Sequence, residues 1–255
     1  KAPVLDYDLE ELNEIAKDSV LKSISVTGVQ PKLSLHFSKV RGERNSKFTI
    51  VGLWGGYILK PPSEKYPFLP ENEHLTMSLA QTFGIKAVPY GMVRFKSGEL
   101  AYISKRIDRT KSGKKHMEDM CQLQERLTED KYRGSVEQIG KILKKYSSNP
   151  GYDLQRLFEV VIFSFLTGNA DMHLKNYSLF YSSLDFFELS PAYDLLNTAI
   201  AIPEDKEESA LSINGKKAKL KKDDFDALSE NLQIQSKVVM GIYEKFAKRR
   251  DSVVN

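Results

Sequence analysis

The chain has 255 residues, which is enough for one large domain or for two units with a sizeable core. Hydrophobic residues make up 41% and charged residues 28% of the sequence, a composition that excludes a disordered chain. The net charge of +4 is small for this length, so no direct nucleic-acid binding is expected, and we interpret the basic run at 216–222 as a solvated surface.

Cysteine and histidine usage argues against disulfide and zinc chemistry. The single cysteine, Cys121, excludes an internal disulfide framework and is typical of a reducing compartment. The four histidines show no ligand-like spacing, so a structural zinc site is not expected. The apolar stretches are far shorter than the ~20 residues that span a bilayer, and there is no signal-peptide pattern. We therefore expect a cytoplasmic protein without membrane contact.

The residues before 111 predict a small β-rich unit. A short helix is indicated at 9–21 by its apolar spacing. Runs of β-branched and aromatic residues predict strands at 33–37, 48–53, 57–60, 88–95 and 100–104. A polar connector near 105–115 then leads to the second half of the chain.

One longer helix interrupts these strands. Four prolines make 61–70 a loop. From Asn72 onwards, Leu75, Leu79 and Phe83 recur at four-residue spacing, which predicts a helix of about three turns with these side chains on its apolar face. Gly84 follows as the C-terminal stop of that helix.

Residues 111–255 predict a larger, mainly helical unit. Helices are expected at 135–147, 154–166 and 234–249, and the second is apolar on most sides, as in a core helix. A hairpin is expected over 177–189. The predicted fold class is therefore α+β, with a β-rich N-terminal lobe at 1–110 and a helical C-terminal lobe at 111–255.

Polar side chains follow the end of the predicted apolar helix, in a pattern that indicates a catalytic site. Asp171 and Asn176 are five residues apart, and Asp194 follows the predicted hairpin. Phosphoryl transfer needs a carboxylate beside the acceptor hydroxyl and oxygen ligands for Mg²⁺, and the two-lobed protein-kinase fold uses this spacing. We predict that Asp171 accepts the hydroxyl proton, while Asn176 and Asp194 bind Mg²⁺ together with the phosphates of ATP.

Three other polar residues share this loop. We interpret Lys175 as a residue that steadies phosphate charge beside the nucleotide. We count His173 among the nucleotide-binding residues, as a brace for the loop rather than a proton carrier, and interpret Asn169 as a residue of the helix end. Each polar residue of the loop taken alone has an ordinary structural explanation, and the combination carries the prediction.

The N-terminal half supplies the other parts of a kinase site in the expected order. Lys60 ends a predicted strand, from which it would reach the α and β phosphates. Glu73 lies in the first turn of the predicted helix and would pair with Lys60, holding its ammonium group. Backbone groups of Lys105, Arg106 and Ile107 are predicted to hydrogen-bond adenine.

A phosphate-binding loop should precede Lys60, but no G-x-G-x-x-G motif occurs there. The hydroxyl-rich stretch SISVTGVQPKLSL (23–35) takes that position. A flexible segment of this kind offers backbone N–H groups to phosphates. Its predicted nucleotide-binding residues are Ser25, Val26, Thr27, Gly28, Gln30 and Lys32.

Several stretches resemble the HipA-like serine/threonine kinases of bacterial toxin–antitoxin systems. The stretches are SVTGVQPKLSL (25–35), ENEHLTMSLAQTFGI (71–85), KRIDR (105–109), GNADMHLKNYSL (168–179) and SPAYDLLNT (190–198). The resemblance implies an ATP-dependent toxin that phosphorylates a protein hydroxyl, often on an aminoacyl-tRNA synthetase, and thereby inhibits translation.

The resemblance also implies regulation and partners. Autophosphorylation is expected at Ser25, which aligns with the modified serine of the family, and at Ser23, with the added charge blocking ATP. The short segment before the phosphate loop resembles the compact toxins of the HipT type, which lack the N-terminal subdomain of full-length HipA. A small separate subunit would then replace that subdomain, beside a DNA-binding antitoxin.

Two other interpretations stay open at this level. The D-x-H-x-x-N spacing of Asp171, His173 and Asn176 also resembles the loop of aminoglycoside and choline kinases, which would make the chain a small-molecule phosphotransferase. Those enzymes usually carry His and Gly where this chain has Asn169 and Ala170. The other alternative is a pseudokinase that only binds partners, and a pure binding module would not need the full set of kinase-type residues.

Overall fold

The computed structural model describes residues 4–5, 7–11, 32–39, 46–51, 55–183 and 185–254. Internal contacts divide the chain into two compact units, Lys1–Leu75 with Val88–Lys114 and Thr76–Ala87 with Lys115–Asn255. The boundary between lobes that the sequence predicts, between residues 110 and 111, stays a prediction. In the predicted helix at 9–21, the structure describes Leu9–Glu11 as helical, and the remainder lies outside the described residues.

A six-stranded sheet forms the framework of the first unit. Its strands are β1 (Val4–Leu5), β2 (Leu33–Lys39), β3 (Ser46–Ile50), β4 (Tyr57–Lys60), β5 (Tyr90–Phe95) and β6 (Leu100–Lys105). The strand order is β1-β5-β6-β4-β2-β3, and every pairing is antiparallel except that of β1 with β5. The predicted strands are thus confirmed, apart from shifts at their ends. A short ladder of β7 (Arg109–Thr110) and β8 (Gly113–Lys114) follows.

Strand alternation decides which side chains of this sheet enter the apolar core. Leu33 pairs with Leu59, which in turn pairs with Ile103, and all three are buried in one hydrophobic cluster. Successive side chains of a strand point to opposite faces, so Lys60 lies on the face opposite to that of Leu59. Lys60 is nevertheless buried, which means that its charge is covered by protein on that second face.

Helix α1 (Leu69–Thr82) begins earlier than the sequence predicts. Pro70 lies in its first turn, where the missing N–H is not needed for an intrahelical bond, so this proline starts the helix rather than extending the loop. The predicted apolar face is confirmed only in part: Phe83 is buried, but Leu75 is 60% exposed, while Met77 and Ala80 are fully buried. Gly84 does end the helix as predicted, with a left-handed backbone (φ +78°).

The second unit is mainly helical. Its helices are α2 (Val136–Tyr146), α3 (Pro150–Leu166), α4 (Thr198–Ala201), α5 (Lys222–Leu232) and α6 (Ser236–Val254). A three-stranded sheet of β9 (Met117–Asp119), β10 (Ser178–Ser183) and β11 (Phe186–Leu189) has the order β11-β10-β9. The predicted helices α2, α3 and α6 and the predicted hairpin of β10 and β11 are confirmed. Helix α5 and strand β9 were not predicted.

Helix α3 is the buried core helix that the sequence predicts, but it also buries charge. Asp153 accepts hydrogen bonds from Ser147 Oγ at 2.7 Å and from the N–H of Leu189 at 2.8 Å. Arg156 pairs with Asp153 at 3.0 Å and donates to the carbonyl oxygens of Leu189 and Ser190 at 2.6 and 3.0 Å. The end of β11 is therefore bound to α3 through a polar network that the apolar pattern of the helix does not predict.

Within the described ranges, none of the helices combines the length and the apolar character that crossing a bilayer requires.

Cys121 is a free, buried thiol in the second unit, and burial raises its pKa above the ordinary value.

Candidate active site

In the first unit, a buried ion pair joins β4 to α1. The Nζ atom of Lys60 donates to both carboxylate oxygens of Glu73, at 2.7 and 2.8 Å, and lies 5.5 Å from the centre of the Tyr102 ring. Since α1 begins at Leu69, Glu73 belongs to the second turn of the helix and not to the first, as the sequence suggested. The structure brings the two residues together in the pairing that the sequence analysis expected of them.

In the connector after β6, two backbone N–H groups that were predicted to bind adenine donate to carbonyl oxygens of the protein. The N–H of Lys105 donates to the carbonyl oxygen of Pro89 at 2.8 Å, and the N–H of Arg106 donates to that of Gly56 at 2.9 Å. These two N–H groups are therefore engaged within the first unit in this conformation. An adenine ring would have to use carbonyl oxygens or the backbone of Ile107, and the predicted adenine contact stays a prediction.

Within the connector, residues 106–109 form a turn that contains a cluster of charges. Asp108 is buried and accepts hydrogen bonds from Arg106, at 3.2 and 3.3 Å, and from Arg109. Two guanidinium groups on one carboxylate hold this turn in a defined shape.

The predicted phosphate loop falls mostly outside the described residues. Lys32 is described, and it is exposed directly before β2. The residues outside the described ranges are Ser23, Ser25, Val26, Thr27, Gly28 and Gln30. Their predicted roles in nucleotide binding and autophosphorylation stay predictions.

In the second unit, the loop after α3 is held by its own side chains. Asn176 is buried, and its Nδ2 donates to the backbone oxygen of Asp171 at 2.9 Å, which also accepts the N–H of His173 at 2.8 Å. Asn169 accepts the N–H of Asp171 at 3.1 Å through its Oδ1. The structure therefore brings Asp171 and Asn176 together. Asn169, which was interpreted as a helix-end residue, is a buried brace of the same loop.

The carboxylate of Asp171 has a partner that the sequence analysis missed. The hydroxyl of Tyr132 donates to Asp171 Oδ1 at 2.6 Å, and the Tyr132 ring meets the His173 ring edge-on at 5.0 Å between centres. Burial raises the pKa of the Tyr132 phenol, and so do its hydrogen bond to Asp171 and the charges of Asp171 and Asp194. No local motif could have identified Tyr132, because it lies 39 residues before Asp171.

His173 is buried beside the carboxylate of the loop. Burial lowers its pKa from the ordinary value, and the charge of Lys131 acts in the same direction, against the opposing effects of Asp171 and Asp194. A buried ring packed against Tyr132 agrees with the interpretation of His173 as a brace.

Asp194 belongs to the same electrostatic neighbourhood as Asp171, because the charges of both act on Tyr132 and on His173. It is half-buried and has a left-handed backbone (φ +60°), which is uncommon outside glycine. Its neighbour Tyr193 donates to the backbone oxygen of Lys175 at 3.0 Å. This bond ties the Asp194 segment to the loop that contains Asn176.

The oxygen atoms of Asn176 and Asp194 are of the type that Mg²⁺ prefers. Because Asn176 Nδ2 is bound to Asp171, the carbonyl oxygen Oδ1 is the end of its amide that remains for a cation. The described ranges contain no group of three His, Cys, Asp or Glu side chains able to hold a metal ion. A site of one Asn, one Asp and nucleotide phosphates does not need such a group, so the residues present fit Mg²⁺.

Two further contacts hold the loop. Lys175 pairs with Asp119 on β9 at 2.8 Å, so its ammonium group is engaged with a protein carboxylate in this structure. Thr198 Oγ1 accepts the N–H of Ala170 at 2.7 Å and donates to the carbonyl oxygen of Gly168 at 3.0 Å. Thr198 was not predicted, and it clamps the start of α4 to the turn before Asp171.

Sequence comparisons identify relatives of this chain. The model of the HipA-like C-terminal domain matches residues 24–254. A protein of Haemophilus influenzae named a putative kinase is 30% identical, over 93% of this chain and 75% of its own length. The serine/threonine-protein kinase toxin HipA of Shewanella oneidensis is also 30% identical, over 68% of this chain and 43% of its own. The sequence match therefore covers less than half of that toxin.

Two solved structures share the fold. HipA of Shewanella oneidensis, solved with HipB and its operator DNA, superposes with a TM-score of 0.75 at 23% identity and covers 98% of this chain and 64% of that one. The proinflammatory kinase CtkA of Helicobacter pylori gives a TM-score of 0.53 at 13% identity, over 86% of this chain and 93% of its own. The predicted α+β fold of the protein-kinase type is confirmed by these likenesses.

Proposed function

The chain belongs to the family of HipA-like C-terminal domains, and on that premise we propose that it is an ATP- and Mg²⁺-dependent serine/threonine protein kinase. The observation that carries the proposal is the loop in which Asn176 holds the backbone of Asp171 at 2.9 Å, with Asp194 in the same electrostatic neighbourhood. The buried pair of Lys60 and Glu73 supports it, because a kinase needs a lysine held ready for the nucleotide phosphates.

Each of these residues has a defined task in the proposed reaction. Asp171 orients the acceptor hydroxyl and accepts its proton as the hydroxyl oxygen bonds to the γ-phosphorus of ATP and the bond from that phosphorus to the departing ADP breaks. Lys60, held by Glu73, binds the α and β phosphates as a fixed positive charge. Asn176 Oδ1 and the Asp194 carboxylate would hold Mg²⁺, which when bound neutralises charge on the transferred phosphoryl group. His173, which is buried and packs edge-on against Tyr132, is assigned the role of a brace for the loop rather than of a proton carrier.

The biological part of the proposal follows the relatives. The HipA relative is named a toxin, and its solved structure contains HipB and operator DNA. We propose that this chain is likewise the toxin of a toxin–antitoxin system. It would bind a DNA-binding antitoxin, with a small separate subunit as a further partner, and would not itself contact nucleic acid. Its substrate would be a protein of the aminoacyl-tRNA synthetase class, whose phosphorylation inhibits translation.

Autophosphorylation offers a direct test without knowledge of that substrate. Purified protein with Mg²⁺ and labelled ATP should incorporate phosphate at Ser25, Ser23 or both, as read by phosphopeptide mapping. Asp171→Asn and Asp194→Asn should reduce incorporation to a small residual rate that only long single-turnover measurements detect. Asp185→Asn is a matched control, because Asp185 is exposed and has the same left-handed backbone (φ +55°) as Asp194.

The outcomes separate the alternatives. A wild-type protein as inert as Asp171→Asn, with both serines shown by intact mass to be unmodified beforehand, would contradict the kinase proposal. Phosphorylation of choline or an aminoglycoside, with none of protein, would favour a small-molecule phosphotransferase. Equal activity of Asp194→Asn and Asp185→Asn would remove Asp194 from the proposed metal site.

A further inference from the structure

Tyr132 occupies a distinctive position beside the proposed base. Its hydroxyl lies 2.6 Å from Asp171 Oδ1, and its side chain remains 40% exposed. Among the hydrogen bonds described for Asp171, those of Asn169, Asn176 and His173 reach its backbone, whereas that of Tyr132 reaches its carboxylate. The orientation of the carboxylate therefore depends on Tyr132.

The segment that carries Tyr132 is fixed on both sides. The carbonyl oxygen of Lys131 accepts the N–H of Leu174 at 3.0 Å, which ties the segment to the loop of Asp171. The carbonyl oxygen of Gly134 accepts the N–H of Ser212 at 3.1 Å. With the backbone bound on each side of Tyr132, its hydroxyl is held at one place.

The ring of Tyr132 is also held. Its edge-on contact with His173 joins it to the interior of the loop, and the ammonium group of Lys131 lies 5.0 Å from its ring centre. These contacts favour a fixed support over a side chain that swings in and out of the site.

We infer that Tyr132 is a positioning residue, which binds Oδ1 of Asp171 and thereby turns Oδ2 towards the acceptor hydroxyl. The inference rests on the proposed function. A carboxylate rotates easily about its last side-chain bond, so a proton acceptor needs an external partner to keep one oxygen in line. The hydroxyl of Tyr132 supplies that partner at 2.6 Å, while Oδ2 is left for the substrate.

The test uses Tyr132→Phe, which keeps the ring and removes the hydroxyl. Tyr146→Phe is the matched control, because Tyr146 is 44% exposed and also has a lysine over its ring, that of Lys145 at 4.7 Å. We expect kcat, measured as the rate constant of phosphate incorporation at saturating ATP, to fall about tenfold in Tyr132→Phe. Misalignment of a reacting group has effects of this order or larger. The KM for ATP and the thermal midpoint should match those of Tyr146→Phe.

A double variant distinguishes positioning from a structural role. In single-turnover measurements, adding Tyr132→Phe to Asp171→Asn should not lower the residual rate further, because the carboxylate to be positioned is gone. A second drop of similar size would overturn the inference, as would a lowered thermal midpoint of Tyr132→Phe alone.

The remaining outcomes also decide the matter. An active wild type with equal kcat in Tyr132→Phe and Tyr146→Phe would overturn the inference and leave the proposed kinase function standing. An increase in kcat would also overturn it, because Tyr132 would then be blocking the base. An inert, unmodified wild type would overturn the proposed function and the inference with it.

Discussion

Lys60 and Glu73 form a buried ion pair in which both carboxylate oxygens receive the lysine ammonium, at 2.7 and 2.8 Å. The two residues are only 4% and 2% exposed. By contrast, the ion pair of Lys86 and Glu188 is 3.3 Å long, and half of the Lys86 side chain is exposed. A buried charge without its partner is strongly destabilising, whereas an exposed pair contributes little.

Removing one charge from the buried pair should therefore destabilise the protein. We expect Glu73→Ala to lower the free energy of unfolding by about 3–5 kcal/mol, measured by urea denaturation, because the buried Lys60 loses this ion pair. The control Lys86→Met should lower it by about 1 kcal/mol or less. In Lys60→Met/Glu73→Leu most of the loss should be recovered, but without phosphoryl transfer. Activity in that double variant would contradict the role of Lys60.

Arg156 should be a second large contributor to stability. Arg156→Met removes the donors to Leu189 and Ser190 and leaves Asp153 buried without its cation. We expect a loss of about 3–5 kcal/mol in unfolding free energy.

The matched control for this prediction is Arg133→Met. Arg133 also pairs with an aspartate three residues earlier, Asp130 at 2.9 Å, but its side chain is 81% exposed. Its substitution should change the unfolding free energy by about 0.5 kcal/mol or less. Equal losses in the two variants would show that the buried network adds nothing beyond an ordinary surface pair.

The clamp at Thr198 predicts a difference between two conservative substitutions. Thr198→Val keeps the shape but leaves the N–H of Ala170 and the carbonyl oxygen of Gly168 without this partner, at a cost of about 1–3 kcal/mol. Thr198→Ser retains the hydroxyl and should be closer to wild type. We expect kcat to follow the same order, because the clamp holds the turn before Asp171. An equal kcat in both variants would contradict this.

The acid stability of the second unit should depend on Asp224. Its hydrogen bond from Lys216 is the main reason that its pKa falls from 3.8 to about 2, helped by the N–H of Lys221 and by Asn214. A carboxyl group with a lowered pKa in the folded state stabilises the protein above the pKa of the unfolded state, and this contribution is lost as the pH falls from about 4 to about 2. Asp224→Asn should flatten the pH dependence of unfolding in that range.

The neighbouring exposed residue Asp223 supplies the control for this prediction. Thermal midpoints measured from pH 5 to pH 2 for Asp223→Asn should follow the wild-type curve. If Asp224→Asn follows it as well, the interactions with Lys216 and Asn214 do not couple Asp224 to folding.

Local patterns were sufficient for much of the fold. The alternation in β2 and the β-branched content of β4 predicted strands, and the apolar spacing of α3 predicted a core helix. The error at the start of α1 came from treating Pro70 as a loop residue, although proline is compatible with the first turn of a helix. Leu75 was placed on the wrong face because the buried face of α1 carries Glu73, a charge that apolar spacing does not count.

By itself, the amino-acid sequence determined which residue types are available for phosphoryl transfer and in what order, since the spacing of Asp171, Asn176 and Asp194 is a property of the chain. Only the tertiary structure decided which distant groups hold them. Tyr132 reaches Asp171 across 39 residues of sequence, and Arg156 binds the end of β11 across more than thirty. Such contacts follow from packing and hydrogen-bond satisfaction in the folded protein, which no local pattern records.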